Sequence, residues 1–169
     1  MKNKSVRGFT LIELLIVIAL LGALAVGLLA TIDPFEQLKK GRDTSTRNTV
    51  SEMYNANLRY YSTKGAFPWN ITTPTLLNAK PVSDMSADID LLVAAGELKN
   101  NFMQLAGTSN LAKVFVTSTG PEQLSVCYKP ESKSFQVDPV TQYDINGAVG
   151  TACKSATPPG ANDCYYCIQ

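Results

Sequence analysis

Glu13 is the side chain whose position first demands a chemical reason. It is the sole ionisable residue between Phe9 and Ile32, in a run that is otherwise apolar or neutral. A carboxylate at the centre of a membrane helix costs roughly 2.5–3.5 kcal/mol, and less near an end, so it calls for a partner. A second set of reactive residues, Cys127, Cys153, Cys164 and Cys167, falls in the last third of the chain. An even set confined to an exported chain reads as two disulfides in an oxidising compartment. Cys164-Tyr165-Tyr166-Cys167 has the spacing of a redox pair or of half a zinc site. No second CxxC completes a zinc tetrad, and no helix follows to lower a thiol pKa. The preferred pairing joins Cys153 to one member of this motif and Cys127 to the other, because that staples the tail to the body of the protein. Finally, Asp144-Ile145-Asn146-Gly147 alternates oxygen ligands before a glycine, like a fragment of a calcium loop without its closing glutamate. A plain turn is the preferred reading; were a cation held, Asp138, Asp144, Asn146 and Asp163 would be its ligands.

What is missing narrows the chemistry further. The chain has no histidine, which removes the commonest general base and a common metal ligand. It shows no nucleophile elbow and no phosphate-binding glycine loop, so an enzyme is not expected, and neither is a cofactor. The formal net charge is +1, but three of the 15 basic residues are Lys2, Lys4 and Arg7; without them 12 face 14 acidic ones. A chain so balanced has no basic excess with which to neutralise nucleic-acid phosphates, and no nucleic-acid partner is expected. Its 169 residues, 45% of them apolar, suffice for one membrane helix and one compact domain.

The element that must carry Glu13 is the segment from Phe9 to Ile32. As a helix it spans about 36 Å at roughly 1.5 Å per residue, enough to cross a hydrocarbon core of about 30 Å with some tilt. Residues 1–8, Met-Lys-Asn-Lys-Ser-Val-Arg-Gly, are polar and basic, which keeps that end cytoplasmic and places everything after Ile32 outside. The competing reading is a secretory signal cleaved after Ala23-Leu24-Ala25. The apolar run continues through Val26, Leu28, Leu29 and Ile32, longer than a secretory core needs, and Glu13 would be costly within it. The small residues Gly22, Ala23, Ala25, Gly27 and Ala30 would let neighbouring helices approach closely.

Gly8-Phe9-Thr10-Leu11-Ile12-Glu13-Leu14-Leu15-Ile16-Val17-Ile18 resembles the processing and assembly signature of type IV prepilins and of the related pseudopilins of type II secretion. The resemblance is close over residues 7 to about 32, looser over the helix that follows, and says little about residues 70–169. It implies that a prepilin peptidase cuts after Gly8 and methylates the amine of Phe9, and that Glu13 is the acid used in assembly. A physical logic stands beside it. Cleavage leaves an ammonium near an apolar helix with a carboxylate four residues on, and in a helical filament the ammonium of one subunit can meet Glu13 of the next. Breaking such a buried pair leaves an uncompensated charge at about 3–5 kcal/mol, so the pair favours one axial register. Pilins often carry a proline near the position of Ala30; here the proline is Pro34.

Beyond the membrane, Asp33-Pro34-Phe35-Glu36 has an N-cap residue, a proline suited to the first helical position and a glutamate placed for a capping box, so a helix restarts or kinks there. Val50, Met53, Tyr54, Asn57, Leu58 and Tyr61 make an apolar and aromatic stripe at helical spacing. Lys39 to Asn48, polar all round, reads as a solvated face. Gly65-Ala66-Phe67-Pro68-Trp69 ends the helix, and another is expected from Ser86 or Asp88 to about Ala95 with Gly96 as its stop. Strands are expected at Lys113 to Thr117, Gln123 to Tyr128 and Ser134 to Val137, as an antiparallel meander. The tail from Val140 to Gln169 reads as loop tied down by cysteines.

The expected fold is α+β and pilin-like, a long N-terminal helix with a transmembrane first half packed on a small antiparallel sheet. Its segments are a leader at 1–8, a membrane and polymerisation helix at 9–32, an amphipathic continuation at 33–63 and a globular head at 64–169. The expected function is a subunit of a type IV pilus, a homo-oligomeric helical filament with prepilin peptidase and an assembly platform as partners. The protein would be a single-pass membrane protein before assembly and extracellular afterwards. The alternatives are a pseudopilin of a secretion system and a membrane-anchored or secreted monomeric binding domain.

Overall fold

A computed structural model of the protein describes residues 8–31, 33–71, 76–150, 153 and 164–169. The chain divides into two compact units, one ending at Gln37 and one spanning Leu38–Gln169, and each is described by itself.

In the first unit, helix α1 runs over Leu11–Thr31 and carries no charge after Glu13. Every side chain from Gly8 to Leu29 is exposed, large apolar ones included. A helix that is hydrophobic all round and exposed all round is complete only inside lipid or among other such helices. Helix α2 begins at Pro34, as the Asp33-Pro34 junction predicts, and extends to Lys64. Asp33 Oδ1 accepts the backbone N–H groups of Phe35 and Glu36 at 3.1 and 3.2 Å, satisfying donors that the first helical turn leaves orphaned.

In the second unit, Asp43, Thr46, Val50, Met53, Asn57 and Tyr60 are buried, and their three- and four-residue spacing draws one stripe along α2. Gly65 closes the helix at φ 73°, a conformation a Cβ disfavours, with its N–H on Tyr61 O at 2.7 Å. The aromatic end piece then folds inward: Phe67 is fully buried, stacked on Trp69 with ring centroids 5.0 Å apart and tilted against Tyr61 at 4.8 Å.

The sheet has five strands, β1 (Leu77–Pro81), β2 (Val114–Gly120), β3 (Gln123–Tyr128), β4 (Thr141–Tyr143) and β5 (Tyr165–Ile168), in the order β1-β2-β3-β5-β4. All pairs are antiparallel. Val114 and Val116 on β2 and Leu124, Val126 and Tyr128 on β3 are buried at every second position and so share one face of the sheet. Together with Val50, Met53, Ala56 and Tyr60 of α2 they form the core. Helix α3 (Ser86–Ala94) adds Ile89 and Leu92; the short helices α4 (Phe102–Ala106) and α5 (Thr108–Leu111) add Phe102 and Leu111.

Three expectations are corrected. Ser134 to Val137 is no strand: Lys133–Gln136 is a short helix, α6, and the place beside β3 belongs to β5. The tail contributes two strands rather than loop alone, since β4 and β5 lie within residues 140–169. Lys39 to Asn48 is not simply solvated, because Asp43, Thr46 and Arg47 face polar partners in the head. Strand β1 and helices α4 and α5 had no counterpart in the sequence reading.

Candidate functional site

The start of α1 is built from Thr10 and Glu13. The backbone N–H and the hydroxyl of Thr10 both donate to Glu13 Oε2 at 2.9 Å, and Glu13 N–H donates to Thr10 Oγ1 at 3.3 Å. This is a reciprocal capping box, the Thr-x-x-Glu pattern written into the residues that open the helix. It folds the carboxylate back over the first turn towards the end at which Gly8 and Phe9 lie. Glu13 Oε1 has no hydrogen-bond partner among the described residues. The site therefore offers one carboxylate folded back over the first turn of α1, with one oxygen held by Thr10. Sequence reading found Glu13 but missed its hold on Thr10, although the three-residue spacing was there to be read.

In the second unit, a row of polar contacts joins the first half of α2 to the head. Asp43, 2% exposed, accepts the N–H of Glu131 on Oδ1 at 2.9 Å and the N–H of Ser132 on Oδ2 at 2.8 Å. Thr46 Oγ1 donates to Asn110 Oδ1 at 2.7 Å. Arg47 donates to Asp138 Oδ2 at 2.8 Å, and its guanidinium lies 4.5 Å from the Phe135 ring centroid and 4.2 Å from that of Tyr166. The hydrogen bond from Arg47 holds the Asp138 carboxyl below its ordinary range, against a smaller opposing effect of burial. Glu131 is held low in the same way by Lys113 and then Arg42. Further along, Arg59 donates to the carboxylate and the carbonyl of Glu97, at 2.6 and 2.9 Å. These contacts and the core beneath them join the α2 residues of this unit to the rest of the head.

The cysteines make two nested bonds, Cys127 to Cys167 and Cys153 to Cys164. The first joins residues directly opposite each other on β3 and β5. The second ties residue 153 to the residue before β5. Of the residues named for a cation, Asp144 and Asn146 share one turn, in which Asp144 Oδ1 accepts the N–H groups of Asn146 and Ala148 at 2.9 Å each. Asp138 is on Arg47, and Asp163 lies outside the described residues. No group of three or more His, Cys, Asp or Glu converges among the described residues. Gly147 completes that turn at φ 78°; a Cβ there would come within 2.6 Å of Ser125 Oγ and 2.7 Å of Ser125 Cβ.

Comparison with curated proteins and with solved structures finds no match to the chain. Comparison with protein-family models matches the prokaryotic N-terminal methylation motif over residues 3–29. Those residues contain Gly8, Phe9, Glu13 and nearly all of α1, the one described helix long and apolar enough to cross a membrane. Exposed apolar helix, lone carboxylate at its start and α+β head with two disulfides thus accompany an N-terminal methylation motif, the signature that type IV pilins and pseudopilins carry.

Proposed function

We propose that the protein is a structural subunit of a type IV pilus, polymerised through α1 and displaying the head on the filament surface. In this reading prepilin peptidase cuts between Gly8 and Phe9, the amine of Phe9 is methylated, and Glu13 accepts the ammonium of a neighbouring subunit. The basic leader holds the N-terminus in the cytoplasm until it is cut away, and an assembly platform then draws the helix out of the bilayer. The observation that carries the proposal is the coincidence of the methylation motif with a helix exposed on every side and a carboxylate turned towards the cleavage end. In lipid that surface is satisfied before assembly, and among other copies of α1 afterwards. An unpaired charge left in such a bundle costs about 3–5 kcal/mol, enough to select one register over its neighbours. A pilus is preferred to a secretion pseudopilus because the paired cysteines staple the tail and Asp144 is spent on a turn.

The test is to isolate the protein from its own cells and determine its N-terminal residue and mass, with and without Glu13→Ala. N-methylated Phe9, with filaments lost in the variant, is the expected result. A chain starting at Val26 would mean a secreted domain and end the filament reading.

A further inference from the structure

A cavity of about 460 Å³ opens in the head where the second half of α2, the β2–β3 hairpin, the turn after β4 and the end of β5 converge. Tyr54 and Leu58, one turn apart on α2, and the buried Leu124 give it an apolar side. The rest of the lining is polar, with Gln123 and Ser125 of β3, Asn146 of the turn and Gln169 after β5. Two of these amides are already oriented: Thr119 Oγ1 donates to Gln123 Oε1, and Gln169 Nε2 donates to the carbonyl of Gly147. Among the described residues this leaves the Gln123 amide nitrogen, the Gln169 side-chain oxygen and both ends of the Asn146 side chain to a ligand. The frame beneath them is fixed. Asp144 Oδ1 holds the turn through the N–H groups of Asn146 and Ala148, and Gly147 lies so close to β3 that a Cβ there would meet Ser125 Oγ at 2.6 Å. Glu122 carries the charge of the cavity, and no lysine or arginine is among the described residues that line it.

We propose that this cavity binds a neutral saccharide, one pyranose unit of a surface glycan; the inference stands on the head alone and does not rest on the filament reading. Three observations select this ligand. A pyranose ring has a face of C–H groups that packs on an aromatic or aliphatic wall, and Tyr54 with Leu58 supplies one. Its edge is a row of hydroxyls, each both donor and acceptor. A side-chain amide offers a donor and an acceptor side by side, so Gln123, Asn146 and Gln169 match neighbouring hydroxyls, and Ser125 adds a group that serves either way. Finally, the charge of the cavity points away from anions: a nucleotide, a phosphate or an acidic sugar would need a cation where the lining offers Glu122. The volume lies within the roughly 300–1,000 Å³ of small-molecule sites, room for one ring with a substituent. Glu122, at the rim and exposed, is an acceptor for a further hydroxyl.

The full chain, kept in a detergent without a sugar headgroup, is titrated by NMR with methyl glucoside, methyl galactoside and methyl N-acetylglucosaminide, and with methyl glucuronide as the anionic counterpart. A pyranoside of about a dozen heavy atoms binds such a site at roughly millimolar concentration, so the titration runs to about 50 mM. At least one neutral glycoside should give saturable shifts at the Ser125, Asn146 and Gly147 amides and at the side-chain amides of Gln123 and Gln169, and should saturate at a lower concentration than the glucuronide. Gln123→Ala/Asn146→Ala removes two exposed side chains and should weaken binding about tenfold or more while the other head resonances report an intact fold. Gln104→Ala, an exposed amide on α4, should leave binding unchanged. Flat titrations with all three neutral glycosides, a glucuronide that binds as tightly as the best of them, unchanged affinity in the double variant, or shifts centred elsewhere on the head would each overturn the proposal. Because the readout is the head's own resonances, its result and the filament test above can fail separately.

Discussion

Replacing Asp43 by alanine removes a single buried carboxylate from the join between α2 and the head. Both of its oxygens accept backbone N–H groups, from Glu131 and Ser132, at 2.9 and 2.8 Å. Hydrogen bonds to a charged group contribute about 1.5–3 kcal/mol each, and an N–H left buried without a partner costs about 1–3 kcal/mol. Partial entry of water into the truncated site offsets some of this, which places the expected loss near 3 kcal/mol. At roughly 2–4 °C per kcal/mol for a domain of this size, the midpoint of thermal unfolding should fall by about 6–12 °C. The assay is thermal and urea unfolding of the full chain in detergent, followed by the signal of Trp69, with amide exchange measured at Glu131 and Ser132. Thr44→Ala, which removes only a hydroxyl bonded to Lys40 O on the exposed side of the helix, should change stability by less than about 0.5 kcal/mol. A loss below 1 kcal/mol for Asp43→Ala, with both amides still protected, would refute the claim that this carboxylate clamps helix to head.

Gly147→Ala should cost roughly 3 kcal/mol in the same unfolding assay, combining an unfavourable φ of 78° with the Ser125 clash, and Ser125→Gly should recover part of it. Loop entropy makes removal of Cys127–Cys167, separated by 40 positions, cost about 4 kcal/mol against about 3 for Cys153–Cys164, separated by 11, which paired alanine variants would test. Because Asp138 titrates below its unfolded value, its pair with Arg47 stabilises the head above the ordinary carboxylate range and the gain is lost as pH falls through the lowered pKa. Acid titration by NMR should show Asp138 moving up towards its ordinary value in Arg47→Met, and no change there would contradict the pairing. The Glu131 titration should likewise rise in Arg42→Gln/Lys113→Gln with little change in stability, since that network is solvent-facing.

The elements set by local pattern were readable from the chain. An uninterrupted apolar run marks α1, Asp33-Pro34 marks the start of α2, and the β2–β3 hairpin follows from two β-branched runs around Thr119-Gly120-Pro121. What failed locally depends on partners far along the chain. Asp43, Thr46 and Arg47 look like a solvated stretch because the groups they pair with are 88, 64 and 91 positions away. Phe135 and Val137 alternate as a strand would, yet Ser132 O takes the N–H of Gln136 at 3.0 Å and Phe135 turns to meet Arg47. The Cys-Tyr-Tyr-Cys segment reads as part of a loop tied down by cysteines because its four-residue strand is too short to announce itself; only the edge of β3 gives it a register. At the candidate assembly site, residue types sufficed to find Glu13, whereas its orientation emerged from the hydrogen bonds to Thr10.

The nesting of the two cystines would set a schedule on the chain if it is exported as proposed. In the orientation proposed above, with the polypeptide threaded outward behind its N-terminal helix, Cys127 is presented first and Cys153 next, and these two do not belong together. An oxidant acting as soon as thiols emerge would couple them and strand β3 without its proper neighbour. Correct maturation then requires either that oxidation lag behind translocation by the residues up to Cys167, or that an isomerase reshuffle the first bond by thiolate attack. Cells lacking such an isomerase should accumulate a subunit of normal mass and wrong connectivity, and deliver fewer copies competent to polymerise.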